Sequence, residues 1–186
     1  MELVYPVSVA PVYRGGKIER EMLPVVEPTG TVTARVARSV CHSGAKPLHP
    51  VVHLHIVDRF GRVYLQRRAA NKDLYPLYWD TAVGGHVTYG EYLREALFRE
   101  ASEELGFYDF NPVPLRTYIF ESATEKELVN VFGTVGNFDL HPDGDEVVEG
   151  RWWEIGELES VFGSNTVTPN FEHEFPMIKH SLLALL

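Results

Sequence analysis

The sequence predicts an α/β fold of the α+β layered kind, a mixed β-sheet packed between helices, on three observations. Strand-patterned runs recur along the chain between turn signals. One long amphipathic segment, residues 89–105, lies among them, and two further helical patterns follow near the end. Strands on both sides of such a helix pair into a sheet that the helices cover, because each element has an apolar face to bury. The chain has 186 residues, 45% of them hydrophobic, with no internal repeat or low-complexity tract. That is enough for one sizeable core, so a single domain is expected over 21–186, after an N-terminal segment, 1–20, without an interpretable pattern.

Within that first segment Gly15-Gly16 reads as a turn. Runs 22–26 and 31–38 flank Glu27-Pro28-Thr29-Gly30 and form one expected hairpin. Runs 51–57 and 62–66 flank Asp58-Arg59-Phe60-Gly61 and form another. Further strands are expected at 80–83, 116–121, 128–135 and 150–153, where Trp152 and Trp153 alternate and at least one faces the core. Helices are expected at 156–162 and 172–185, with Pro176 near the start of the second.

The central helix is bounded by Thr88 with Glu91, a capping-box pair, and by Gly106 as a stop, which gives 89–105. At 100° per residue, Leu93, Leu97, Phe98, Ala101 and Leu105 share one arc of about 140° that must face a core. Glu104 falls inside the arc, with Glu100 and Glu103 at its edge. An acidic run on a helix is ordinarily a solvated face. Here the phase argues otherwise, because three carboxylates within one turn at a buried edge repel one another unless a cation resolves them. Mg²⁺ or Mn²⁺ would do so, since a hard divalent ion takes oxygen ligands and bridges carboxylates to diphosphate oxygens. Arg99 reads as an internal partner that orients the glutamates. Gly84 and Gly85 leave a loop without side chains, open to close backbone approach.

Gly85, Glu91, Arg99, Glu100, Glu103, Glu104 and Gly106 stand at the spacing of a Nudix box: Gly, five residues, Glu, seven residues, Arg-Glu, two residues, Glu-Glu, one residue, Gly. The chain therefore resembles the Nudix hydrolase family, whose members use divalent metal to cleave a nucleoside diphosphate linked to another group. The resemblance covers roughly residues 21–185 and implies the Nudix fold, metal binding by Glu100, Glu103 and Glu104, and one box glutamate as base for the attacking water. Ala101 stands where the family usually has a larger aliphatic residue, a departure that bears only on local packing.

Lysine and arginine number 17 against 26 acidic residues, so the net charge is −9, and no basic cluster tracks a nucleic-acid backbone. Polynucleotide binding is disfavoured. The same charge repels a diphosphate, so bound metal is needed to reverse the local field. The apolar runs are far short of a membrane span, and the N-terminus shows no basic-then-apolar leader. The one cysteine, Cys41, forms no internal disulfide, reads as a packed thiol, and suits a cytoplasmic protein.

Of eight histidines, His42, His49, His53 and His55 precede the box. His53 and His55 alternate in a strand and read as structural. The stretch from His42 to Arg68, with LYPLYWDTAVGGH after it, resembles the Nudix branch related to type 1 isopentenyl-diphosphate isomerase. By that resemblance His42, His49, His86, Glu125 and Glu127 match five metal ligands. Three imidazoles and two carboxylates favour a transition metal, Mn²⁺, Zn²⁺ or Fe²⁺, over Mg²⁺ because nitrogen ligands are softer. Alternation puts Glu125 and Glu127 on one strand face, which fits a shared site and equally an exposed face. Two departures matter: Gly84 stands where the isomerase has a cysteine, and Asn170 where it has a tryptophan. Conversely, that isomerase lacks the full Arg-Glu, Glu-Glu pattern kept here.

Arg67, Arg68 and Lys72 lie between a strand and the box, where one of them is expected to hold phosphate oxygens; the alternative is an ordinary ion pair. Trp79 either stacks on a base or packs the core. The resulting expectation is a metal-dependent pyrophosphohydrolase acting on a small-molecule nucleotide or similar diphosphate. Its rivals are an isomerase of isoprenoid diphosphates and a catalytically silent nucleotide sensor. A homodimer is a family-level expectation.

Overall fold

The computed structural model describes residues 1–5, 21–72 and 74–186; the expected Gly15-Gly16 turn lies outside them. The elements are β1 (Met22–Val26), β2 (Val32–Ala37), α1 (Arg38–Cys41), β3 (Leu48–Val57), β4 (Val63–Arg68), β5 (Trp79–Thr81), β6 (Val83–His86), α2 (Leu93–Leu105), β7 (Val113–Glu121), β8 (Lys126–Val135), β9 (Val147–Trp153), α3 (Ile155–Ser160) and α4 (Pro169–Leu183). Strands β1 and β2 form a two-stranded sheet; the seven-stranded sheet runs β5-β4-β3-β8-β7, with β6 beside β3 and β9 beside β4. This is the α+β layered arrangement expected from the sequence. Among the described residues, no helix is long and apolar enough to cross a membrane.

The chain divides into two compact units built from interleaved segments, 1–52, 85–97 and 117–130 in the first and 53–84, 98–116 and 131–186 in the second. In the first unit, β1 and β2 pair antiparallel from Met22↔Ala37 onward. Gly30 closes their turn at φ +86°, and a Cβ there would lie 3.1 Å from the Glu2 carbonyl oxygen. Past β2 the chain leaves the sheet at Arg38, whose amide donates to the Glu21 carbonyl at 2.9 Å, and forms the short helix α1, which takes Arg38 from the end of the expected strand 31–38.

In the second unit, β4 is central, pairing antiparallel with β3, β5 and β9. Asp58 closes the β3–β4 turn, its Oδ1 accepting from the amides of Phe60 and Arg62 at 2.9 Å each. Leu54, Ile56, Leu65, Leu158, Phe171, Phe175, Ile178 and Leu182 are wholly buried. Helix α4 begins at Pro169 rather than 172, because the Thr168 hydroxyl caps it, accepting from the Phe171 amide, and proline at the first helical position lacks only an N–H with no intrahelical partner. Pro176 is consequently mid-helix, where the burial of Phe171, Phe175, Ile178 and Leu182 compensates for the lost backbone bond.

Two further boundaries differ from the sequence analysis. Residues 80–83 do not form one strand, because Trp79–Thr81 pairs with β4 while Val83–His86 pairs with β3. Helix α2 starts at Leu93 instead of 89, since Gly90 sits at φ +95°. The Thr88–Glu91 pair does form, with the Thr88 amide donating to Glu91 Oε2 at 3.0 Å, but it closes a turn ahead of the helix. The first helical turn is capped instead by Glu95 Oε2, which accepts from the Tyr92 amide at 2.8 Å. The helix ends at Leu105 with Gly106 at φ +64°, as the sequence predicts.

Candidate active site

Burial divides the three helix glutamates. Glu104 is 7% exposed; its Oε2 accepts from the Gly84 amide at 3.2 Å and from Gln66 Nε2 at 3.4 Å. Burial, reinforced by the charges of Glu100 and Glu146, pushes its carboxyl well above the usual range, against the Gly84 amide and the Lys72 charge. Glu100 is pushed up to about 7, chiefly by burial and further by Glu103 and Glu146, against the Arg99 guanidinium. Arg99 Nη1 stands 2.8 Å from Glu100 Oε1 and 3.2 Å from Glu103 Oε2, the internal partner expected from the sequence. Glu103 differs from expectation: its side chain is 61% exposed, because one residue's 100° rotation from Glu104 carries it out to solvent.

Glu146 was not singled out in the sequence. It precedes β9, its carboxylate pairs with Lys72, and its charge raises the carboxyls of both Glu100 and Glu104. Its only sequence signal was membership of an acidic loop. Of the expected phosphate-binding side chains, Arg67 pairs with Glu149 at 3.2 Å and donates to the Leu77 carbonyl, while Arg68 pairs with Asp80 at 3.2 Å and donates to the Leu74 carbonyl. Lys72 is the one whose charge acts on Glu104. Trp79 packs edge-on against Trp153 with centroids 5.3 Å apart, the core side of its alternative.

The first unit gathers the imidazoles. His42 caps the C-terminus of α1, His49 is the second residue of β3 and His86 the last of β6; one ring nitrogen from each lies within 4.8 Å of the others. His42 Nε2 and His86 Nε2 are 3.2 Å apart. Glu125 Oε2 stands 2.6 Å from His42 Nδ1. Burial raises the Glu125 carboxyl, but the bond and charge of His42 outweigh it and leave the carboxyl below its ordinary value. Glu127, two residues on, is half-buried.

His49 is the most buried member of the group. Its Nδ1 faces the Pro47 carbonyl at 3.0 Å. A carbonyl only accepts, so the proton sits on Nδ1 and the lone pair on Nε2. That Nε2 is buried without a hydrogen-bond partner. Leaving a buried acceptor unpaired costs about 1–3 kcal/mol. Burial lowers the His49 pKa and, with the nearby His42, outweighs the Pro47 carbonyl, which keeps the ring neutral. A neutral imidazole oriented by a backbone carbonyl is the form that ligates a metal. Three nitrogens and a carboxylate are a donor set for Zn²⁺, Mn²⁺ or Fe²⁺, and the raised box carboxylates are one for a hard divalent ion.

The NUDIX domain profile matches residues 47–172, and the chain belongs to the Nudix family. It falls in the branch related to isopentenyl-diphosphate isomerase and is a Nudix hydrolase by class. An isopentenyl-diphosphate Δ-isomerase of Leifsonia xyli is 30% identical over 161 residues, 81% of this chain and 84% of that protein. A Nostoc protein named an uncharacterized Nudix hydrolase is 37% identical over 143 residues, 74% of this chain and 83% of its own. Among solved structures, DR0079 from Deinococcus radiodurans superposes with a TM-score of 0.74 over 85% of this chain and 99% of its own; at 21% identity it speaks for the fold.

Proposed function

We propose that this Nudix enzyme is a metal-dependent pyrophosphohydrolase that cleaves the diphosphate linkage of a nucleotide or similar diphosphate. The carrying observation is the pair Glu100, half-buried, and Glu104, buried: burial raises both carboxyls, the Glu100 charge raises Glu104 further, and the Gly84 amide donates to Glu104. Mg²⁺ or Mn²⁺ held by Glu100, Glu103 and Glu104 would neutralise this charge and polarise the phosphorus. One of the box glutamates serves as base for the attacking water. Arg99 orients Glu100 and Glu103. Gly84 and Gly85 let phosphate oxygens come close to the backbone, and Lys72 supplies positive charge. A second, transition metal is proposed for His42, His49 and His86, with Glu125 and Glu127.

A second reading, isomerisation of an isoprenoid diphosphate, draws support from the names of relatives such as the Leifsonia protein. Against it, Gly84 has no side chain to deliver a proton. A silent nucleotide sensor is the third reading, disfavoured by the intact box glutamates. A cytoplasmic homodimer belongs to the same proposal. The test is a panel of nucleoside diphosphates, nucleotide sugars, dinucleoside polyphosphates and isoprenoid diphosphates, read by phosphate release and product mass. Hydrolysis supports the first reading, mass-neutral conversion the second, and binding without turnover the third.

A further inference from the structure

Strand β4 carries an uncharged polar side chain into the buried middle of the sheet. Gln66 is 4% exposed and pairs in register with Asp80 on β5 and with Gly150 on β9. Residues directly opposite one another in neighbouring strands share a sheet face, and neither neighbour can donate to the carboxamide oxygen. Gly150 has no side chain. Asp80 is an acceptor, engaged by the Thr168 hydroxyl, the Thr81 amide and Arg68. Tyr64, two residues back on the same face, lays its hydroxyl over Gly150, where a Cβ would overlap it. Gln66 Oε1 is nevertheless buried without a hydrogen-bond partner among the described residues.

The other end of the same carboxamide meets the box. Gln66 Nε2 stands 3.4 Å from Glu104 Oε2, and the Gly84 amide donates to that same oxygen at 3.2 Å. Two donors on one oxygen restrain the rotation of the carboxylate and leave its Oε1 for an ion. A metal-bound carboxylate only accepts, which sets the carboxamide with Nε2 toward Glu104 and Oε1 on its far side. Packing alone does not account for this choice of residue, because an apolar side chain of the same volume would fill the sheet interior without a buried, unpaired acceptor. A hydrated divalent ion accounts for it. Mg²⁺ keeps several of its waters when one or two carboxylates bind it, and those waters turn their hydrogens outward, toward acceptors.

We propose that Gln66 is a positioning residue for the box metal: its Nε2 holds Glu104 Oε2, and its Oε1 accepts a hydrogen bond from a hydration water of the divalent ion. This rests on the metal-dependent hydrolase reading above. Gln66 lies 18 residues before the Gly84 backbone and outside the box, and it acts on the ion through Glu104 and water without ligating it. Groups that orient a metal ligand in this way typically contribute about 10–100-fold in metal affinity.

The test titrates Mg²⁺ into the metal-free intact protein by calorimetry, in the parent, Gln66→Met and Glu104→Gln, and follows the Gln66 side-chain ¹⁵N amide resonance of the parent through the same titration. Methionine nearly keeps the volume of glutamine and removes both donor and acceptor. Gln66→Met should weaken the Glu104-dependent Mg²⁺ affinity at least about tenfold, and the Gln66 resonance should move over the Mg²⁺ range in which that site fills. A purely structural glutamine would spare the affinity. Should Gln66→Met fail to fold, the resonance of the parent decides. Parental Mg²⁺ affinity in folded Gln66→Met, or a Gln66 resonance unmoved by Mg²⁺ whose binding needs Glu104, overturns the assignment of Gln66 while the hydrolase reading stands. Mg²⁺ binding unchanged in Glu104→Gln would overturn both.

Discussion

The amide of Gly84 donates to Glu104 Oε2 at 3.2 Å. One backbone N–H thus steadies a carboxylate whose burial and acidic neighbours all oppose its charge. The helix presents Glu104 in this state because its apolar phase carries the residue inward together with Leu105 and Ala101, both wholly buried.

Glu104→Gln and Glu100→Gln should each abolish the metal-dependent hydrolysis, with turnover down at least about a hundredfold, comparable to removing a general base. Both should fold, because the amide replaces a carboxylate the fold holds reluctantly. Steady-state kinetics with circular dichroism check this. Parental rates in both variants would remove α2 from the catalytic site.

Stability of the metal-free protein carries a signature of the same two groups. A carboxyl whose folded pKa is raised binds its proton more tightly in the native state, so its contribution is full at low pH and is lost as pH rises. For Glu100 the window runs from its ordinary value of 4.5 to about 7. Relative to Glu100→Gln, the parent should lose thermal midpoint across that window, and added Mg²⁺ should restore it. Melting curves at several pH values, with and without Mg²⁺, decide the matter; parallel profiles for parent and variant would refute it.

His49 offers Nε2 to a metal in its neutral form, and its lowered pKa keeps it neutral to a lower pH than an ordinary histidine. Zn²⁺ or Mn²⁺ affinity, measured by calorimetry, should fall as pH drops through the histidine range, because all three imidazoles must be neutral to bind. His49→Ala should weaken binding at least about tenfold. Equal affinity in the variant would show that the imidazole group holds no ion.

Incubation with isopentenyl diphosphate in deuterated water should give no deuterium in the recovered diphosphate, because glycine at position 84 has no proton to deliver. Metal-dependent incorporation at enzyme-like turnover would favour the isomerase reading.

The local elements were legible because their causes are local. Alternation marked β3, β4, β8 and β9 to within a few residues, and the 3.6-residue phase marked α2, including the inward place of Glu104. The box spacing and the three histidines likewise stood in the sequence by residue type and number. Backbone geometry at single residues was less visible: Gly90 at φ +95° moved the start of α2, and the Thr168 cap moved that of α4. Tertiary structure alone decided the long-range pairings. Glu174 meets His53 across 121 residues of sequence, and Glu146 adds its charge to Glu100 and Glu104 from outside the box. Periodicity reports which face of an element is apolar; it carries no record of which distant carboxylate the fold will bury against that face, because that choice is made by packing between elements.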